Sequence, residues 1–304
     1  MIYLLLFIIL SSTVTLMFKI TGKLGLNDDN LIVVNYLVAS TVSITTSIRA
    51  GIYSDFFGKL AQADAGTVFT QKNVGNSYLL LLSLGLVQGV FYIYTLFNTR
   101  NSVKYNGAGI STLFHQAGFI LTMTIAMLIW KEIPTALQII GIVLAVIALI
   151  TAYEKPSEKS IIKKPSLLVI AFTSTAAMAI INKTSVYYAL EELRPLLIST
   201  LFPTALICGI GYLIIKHVKE HKKFRITGKE ILFGILLGTP NVLSSYVQLR
   251  ALAAVPSNIF YPTSAAGSLV TVTLVSALIF KEALSKKQKI SIAILVISLI
   301  LVNI

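Results

Sequence analysis

Charge is scarce in this chain: 12% of its 304 residues are Asp, Glu, Lys or Arg, against 56% hydrophobic ones. An ordinary soluble domain is nearer a quarter charged, and one soluble core cannot hide so much apolar surface. Cysteine is almost missing as well. The lone Cys208 sits in an apolar stretch, allows no intrachain disulfide and no thiolate metal site, and reads as a small buried hydrophobe. Ten-residue segments of alternating apolar and polar residues, the mark of a membrane β-barrel, do not occur. The first apolar run has no basic leader and no small-residue cleavage site, so it reads as a permanent span rather than a removed signal.

What is present is apolar length. Mean hydropathy is +0.84, and runs such as Tyr78 to Val87, Ile139 to Ile150 and Ile290 to Val302 carry almost no charge. In their wider windows they approach the ~20 residues that cross a bilayer as a helix. The fold class expected is an all-α integral membrane protein with ten transmembrane helices, near 2–21, 30–52, 77–99, 106–130, 134–153, 166–190, 195–215, 230–251, 257–280 and 288–304. The polar stretches 23–30, 53–77, 154–165 and 216–229 are its connections, and 53–77 is too polar to span.

The closing segments of the two halves repeat. An offset of 150 residues superposes IWKEIPTALQIIGIVLAVIALI, from Ile129, on IFKEALSKKQKISIAILVISLI, from Ile279. Apolar matches between membrane helices are cheap, but Lys131-Glu132 meeting Lys281-Glu282 and Gln138 meeting Gln288 are not. Leu84-Gly85 and Leu237-Gly238 correspond at an offset of 153, and Lys19 and Lys183 stand at equivalent places near the ends of the first and sixth spans. The chain thus reads as a first five-helix repeat over 1–153, a linker over 154–165 and a second repeat over 166–304. Five helices are an odd number, so the second copy must enter from the opposite side. The repeats are then inverted, which places a solute site near the midplane between them.

These features resemble the EamA-type branch of the drug/metabolite transporter superfamily: two five-helix halves, each with Glu, then Gln and a closing apolar helix (Glu132 with Gln138, Glu282 with Gln288). The resemblance covers essentially the whole chain and is too degenerate to name a substrate. It implies a ten-helix carrier of metabolites, often an exporter, with a central cavity lined by spans one to four and six to nine and with spans five and ten peripheral. The long polar insertion between the second and third spans departs from the simple pattern.

Basic residues give an independent orientation in the cell membrane. Connections after odd-numbered spans hold 18 of the 25 lysines and arginines, from Lys19 and Lys23 to Lys286, Lys287 and Lys289, and the other side holds 7. This count puts both termini outside the cytoplasm, whereas many family members are described with both inside; the count is favoured, because the termini carry no basic side chain. The net charge of +13 is assigned to anionic lipid rather than to nucleic acid. The partners expected are a small-molecule solute and the bilayer, with no nucleic acid and no cofactor; a monomer is compatible with this, though the sequence does not set the oligomeric state.

Polar side chains within spans are costly and usually face a cavity or another helix. The substrate-binding candidates are Asn35, Tyr36, Gln88, Tyr92, Asn98, His115, Gln116, Lys183, Asn241, Tyr246, Gln248, Arg250 and Tyr261. For each one, an interhelical hydrogen bond is about as good a reading as solute contact. Lys19 and Lys183 lie deep enough to snorkel to the far interface, the reading favoured over a cavity charge. All twelve acidic residues fall in connections or at helix ends, so no carboxylate is available to neutralise a cation in midmembrane. An anionic or zwitterionic solute is expected. Glu132 and Glu282 read as charges before the N-termini of the fifth and tenth spans.

A membrane-embedded enzyme acting on a lipid-linked substrate is the rival class, needing a nucleophile with a base or a metal-ligand set. His115 has no nearby carboxylate in sequence, His217 and His221 sit in a lysine-rich connection, and Asp28-Asp29 stand in a short loop. No catalytic residue or metal ligand is assigned. A structural or signalling membrane protein is the other alternative.

Overall fold

A computed structural model describes residues 1–152, 162–220, 225–281 and 283–304. Most of the expected linker, together with His221 and Glu282, lies outside the described residues, as do the side chains of His217 and Glu220. Among the described residues the order is α1 (Ile2–Lys23), α2 (Asp28–Arg49), α3 (Phe56–Ala61), α4 (Val74–Asn106), α5 (Ala108–Trp130), α6 (Ala136–Ala152), α7 (Pro165–Tyr188), a 3-10 turn (Glu191–Leu193), α8 (Pro195–Glu220), α9 (Gly228–Ala254), α10 (Ser257–Phe280) and α11 (Lys286–Val302). Eight of these are long and apolar enough to cross a membrane, while α6 and α11 have 17 residues each. Large apolar side chains stand fully outward, among them Ile207 (70% exposed) and Leu278 (79%), as lipid-facing positions should. The protein is a multi-pass membrane protein.

Helix ends explain the motif that repeats. Lys131 and Lys281 adopt the left-handed conformation (φ 57° and 53°) that closes α5 and α10. Four residues on, Thr135 and Ser285 open α6 and α11. The Ser285 hydroxyl accepts from Gln288 N at 3.2 Å while Gln288 Oε1 accepts from Ser285 N at 3.0 Å, a capping box. Thr135 and Gln138 exchange the same two bonds at 3.3 and 3.0 Å. The shared Gln therefore satisfies backbone donors that a helix N-terminus would otherwise leave open.

Glu132 corrects its sequence reading. Its carboxylate accepts from the backbone N–H of Ser257 at 2.7 Å, so it caps α10 rather than α6. Asp28 and Asp29 are also corrected: they form the first turn of α2, where negative charge suits the helix dipole. Two further differences concern length. The third span continues to Asn106, and the polar stretch after α2 contains α3.

The chain forms two compact units. One comprises Met1–Ser12, Tyr94–Ile180 and Ala251–Ile304; the other comprises Thr13–Ile93 and Ile181–Arg250. In the first, α6 packs along α11, with Ser291 Oγ donating to Ala148 O at 2.8 Å and Ser298 Oγ to Gly141 O at 2.6 Å. A side chain at Gly141 would stand 2.7 Å from Val302 Cγ2. Gly118 of α5 lies against the Phe172 carbonyl and Thr175 of α7, and Gly267 of α10 against Ile8 of α1.

In the second unit α2 packs on α8. Two Gly-x-x-x-Gly pairs let backbones approach closely. Gly85 and Gly89 of α4 meet Thr200 and Thr204 of α8, while Gly234 and Gly238 of α9 meet Val34 and Val38 of α2. Gly234, Gly238 and Gly267 lie 149 positions beyond Gly85, Gly89 and Gly118, close to the offset of 150 found for the closing helices.

Candidate functional site

Nine of the candidate residues fall in the second unit: Asn35, Tyr36, Gln88, Tyr92, Lys183, Asn241, Tyr246, Gln248 and Arg250. Apolar helices bring several of them together. Asn241 Nδ2 of α9 donates to Asn35 Oδ1 of α2 at 3.1 Å, close to where Gly238 admits the α2 backbone. Gln88 lies between Gly85 and Gly89 on α4, and its Nε2 donates to Asn182 Oδ1 of α7 at 2.9 Å. The other Gln88 acceptor, Oε1, is buried without a hydrogen-bond partner. Lys183 follows Asn182 and is 5% exposed. Such burial favours the other reading of this lysine, a charge held within the protein. Tyr36 and Tyr92 face each other and Phe202, with ring centroids 6.2 to 6.5 Å apart.

The first unit holds Asn98, His115, Gln116 and Tyr261. Asn98 Nδ2 donates to Leu167 O at 2.9 Å, and the Tyr261 hydroxyl donates to Ala179 O at 2.7 Å. Both bonds are ties between helices, the alternative the sequence left open. His115 and Gln116 are partly buried on α5 and join none of these contacts.

A cavity of about 260 Å³ lies within the second unit, lined by Glu191, Glu192, Arg194, Pro195, Tyr246, Leu249 and Arg250. It is built where α7 ends, α8 begins and α9 nears its end. Pro195 opens α8, a position that tolerates the missing N–H, and the 3-10 turn before it sets Glu191 three residues from Arg194. Their contact is loose, 3.7 Å from Arg194 Nη1 to Glu191 Oε1. Arg194 Nη2 donates to Val186 O at 3.1 Å. Its Nε is buried without a hydrogen-bond partner, and the Tyr246 hydroxyl is buried beside the Thr46 and Ser47 side chains of α2.

Glu191 and Glu192 lie at a helix end, where the sequence reading put them, and share this cavity with the candidates Tyr246 and Arg250. Sequence reading found the last two and passed over Glu191, Glu192 and Arg194 as a connection. The available signal was the string Glu-Glu-Leu-Arg-Pro, with acid and base three apart before a helix-opening proline.

Polar anchoring is also strong at the opposite ends of α2 and α9. Lys216 Nζ meets Asp29 Oδ2 at 2.6 Å, with the Asp29 side chain only 8% exposed. Glu230 accepts from Asn30 Nδ2 at 2.9 Å, Thr227 N at 2.8 Å and Asn27 N at 3.1 Å. Lys216, expected in a basic connection, thus belongs to α8 and to an ion pair with α2.

No curated protein matches the chain. Among 28 chains of solved structures that do match is a crystal structure 16% identical to it, covering 99% of this chain and 94% of that one with a TM-score of 0.68. That likeness shows the fold. Residues 156–304 match the EamA-like transporter family. By that match residues 156–304 belong to the EamA-like transporter family, within the drug/metabolite transporter superfamily.

Proposed function

We propose that this protein is a secondary transporter that exports a small polar or amphipathic metabolite across the cell membrane by alternating access. The observation that carries the reading is the burial of the bonded pair Gln88 and Asn182, and of Lys183 next to Asn182 in sequence, on otherwise apolar helices. An ionisable residue enclosed at such a place is costly to the fold and is a mark of solute or ion pathways. An acceptor left open at Gln88 Oε1 gives a solute donor somewhere to bind.

The transport cycle needs two halves that exchange roles, and the glycine contacts support that arrangement. The approach of α4 to α8 has a counterpart in α9 to α2, and that of α5 to α7 has one in α10 to α1. Each pair joins a helix of residues 1–153 to one of residues 166–304. Two repeats of five helices, with α6 and α11 as the fifth of each, account for this pattern. A helix of 17 residues rises ~26 Å, at the lower limit for a span.

The test is counterflow of a labelled metabolite mixture in proteoliposomes, with Lys183→Ala and Gln88→Ala beside the native protein. The expected outcome is protein-dependent exchange of a small set of solutes, reduced about tenfold or more in each variant. No exchange above empty liposomes for any solute class, with correctly folded protein, overturns the reading.

A further inference from the structure

The cavity at the α7–α8 connection has a composition that a simple helix-end ion pair does not explain. An exposed pair three residues apart contributes little and needs nothing else around it. Here the Glu191 side chain is 75% exposed, yet the Arg194 side chain is only 12% exposed. Guanidinium carries five donors, and burial makes an unmet one expensive. One Arg194 donor goes to the Val186 carbonyl, another reaches Glu191 only loosely, and Nε meets nothing. Tyr246 adds a buried hydroxyl to the same lining, beside Thr46 and Ser47.

The lining is balanced in sign, with the carboxylates of Glu191 and Glu192 and the guanidiniums of Arg194 and Arg250. A lone anion or a lone cation would leave charge of one sign uncompensated. A molecule with both charges matches the lining without disturbing the balance. Pro195 and Leu249 add apolar wall. A volume of about 260 Å³ is below the usual range for drug-sized ligands, which sets the size of the occupant to a small metabolite.

We propose that this cavity is a binding site for a small zwitterion with an apolar side chain, its carboxylate toward Arg194 and Tyr246 and its ammonium toward Glu191 and Glu192. The proposal rests on the transporter reading for the fate of the ligand, and on the cavity alone for its binding. The carboxylate completes the Nε donor of Arg194 and lies against the Tyr246 hydroxyl. The ammonium supplies the counter-charge that Glu191 shares loosely with Arg194. The apolar side chain lies on Leu249 and Pro195.

The experiment is calorimetric titration of the protein in nanodiscs with three probes that share a 3-methylbutyl group: leucine, 4-methylpentanoate and 3-methylbutylamine. Leucine is expected to bind about tenfold or more tightly than either half-charged analogue. In Glu192→Gln the advantage of leucine over 4-methylpentanoate should shrink, while in Arg194→Gln its advantage over 3-methylbutylamine should shrink. Glu192 is exposed, so its variant reports even where Arg194→Gln fails to fold. Equal affinity for the three probes, as a merely water-filled cavity would give, overturns the proposal. So does a leucine preference that Glu192→Gln leaves untouched. Counterflow separates the two readings. Selective binding with no transport sinks the transporter and spares the site, whereas transport with no selective binding sinks the site alone.

Discussion

Replacing Gly89 by alanine asks whether the approach of α4 to α8 is set by the absence of a side chain. A Cβ there would stand 2.6 Å from Leu201 O and 2.6 Å from Thr204 Cβ, whereas nonbonded carbons rest ~3.5–4.0 Å apart. Neither neighbour is the loose end of a long side chain, so relief requires the helices to part by about 1 Å. A gap of that size forfeits roughly a quarter to a half of the dispersion well for contacts across the seam. Overpacking of this kind costs about 1–3 kcal/mol. Helix propensity acts the other way, favouring alanine over glycine by ~1 kcal/mol. Gly211→Ala isolates that second effect, because a Cβ there meets nothing within 4 Å. The steric cost is thus the difference between the two variants, about 1–3 kcal/mol. The assay is equilibrium unfolding of both variants in mixed micelles by stepwise addition of a denaturing detergent. Stabilities within ~0.5 kcal/mol of each other, the noise of an ordinary surface substitution, would refute the argument.

The helix-terminal motif makes a second test: Thr135→Ala and Ser285→Ala should each lose ~1 kcal/mol by thermal melting, while Thr135→Ser keeps most of it. Glu132→Ala should cost about 1–3 kcal/mol by removing a charge-assisted bond to the Ser257 N–H, and Glu132→Gln markedly less. Asp29→Asn should destabilise the α2–α8 contact by about 1–3 kcal/mol, and part of that should return in the double variant with Lys216→Met. A reporter fused after Ile304 is expected to act as extracytoplasmic, following the count of basic residues; cytoplasmic activity there would show that count to mislead.

Much of the architecture was readable because lipid demands long apolar runs: each expected span falls on a helix, eight of them long and apolar enough to cross a membrane, although the third runs on to Asn106. The repeated Lys-Glu and Gln were readable as a pattern but not as physics. Their meaning lies in a left-handed Lys131 and Lys281 and in capping boxes at Thr135 and Ser285. Glu132 was misassigned because its partner, Ser257, is 125 residues away. Asp29 was taken for a loop residue because its partner, Lys216, is 187 residues away. Among the site residues, cost in lipid singled out Asn35, Gln88, Lys183 and Asn241. Which of them meet depends on the rotation of each helix about its axis, and a single sequence does not carry that angle. The Glu191–Arg194 turn escaped notice because polar residues between spans ordinarily need no explanation.

The seam between α6 and α11 bears on how the chain is made. Ser291 and Ser298 donate to the carbonyls of Ala148 and Gly141, seven residues apart on each helix and running in opposite senses. During synthesis α6 leaves the ribosome some 150 residues ahead of α11, a wait of roughly 10–30 s at ordinary elongation rates. Carbonyls within a helix already hold their own backbone bonds, so α6 suffers no unmet polar group while it waits in lipid. The serines of α11 can fold back on their own helix until they meet it. When α11 is inserted it therefore finds a partner that was stable without it, and its arrival fixes the register of the pair.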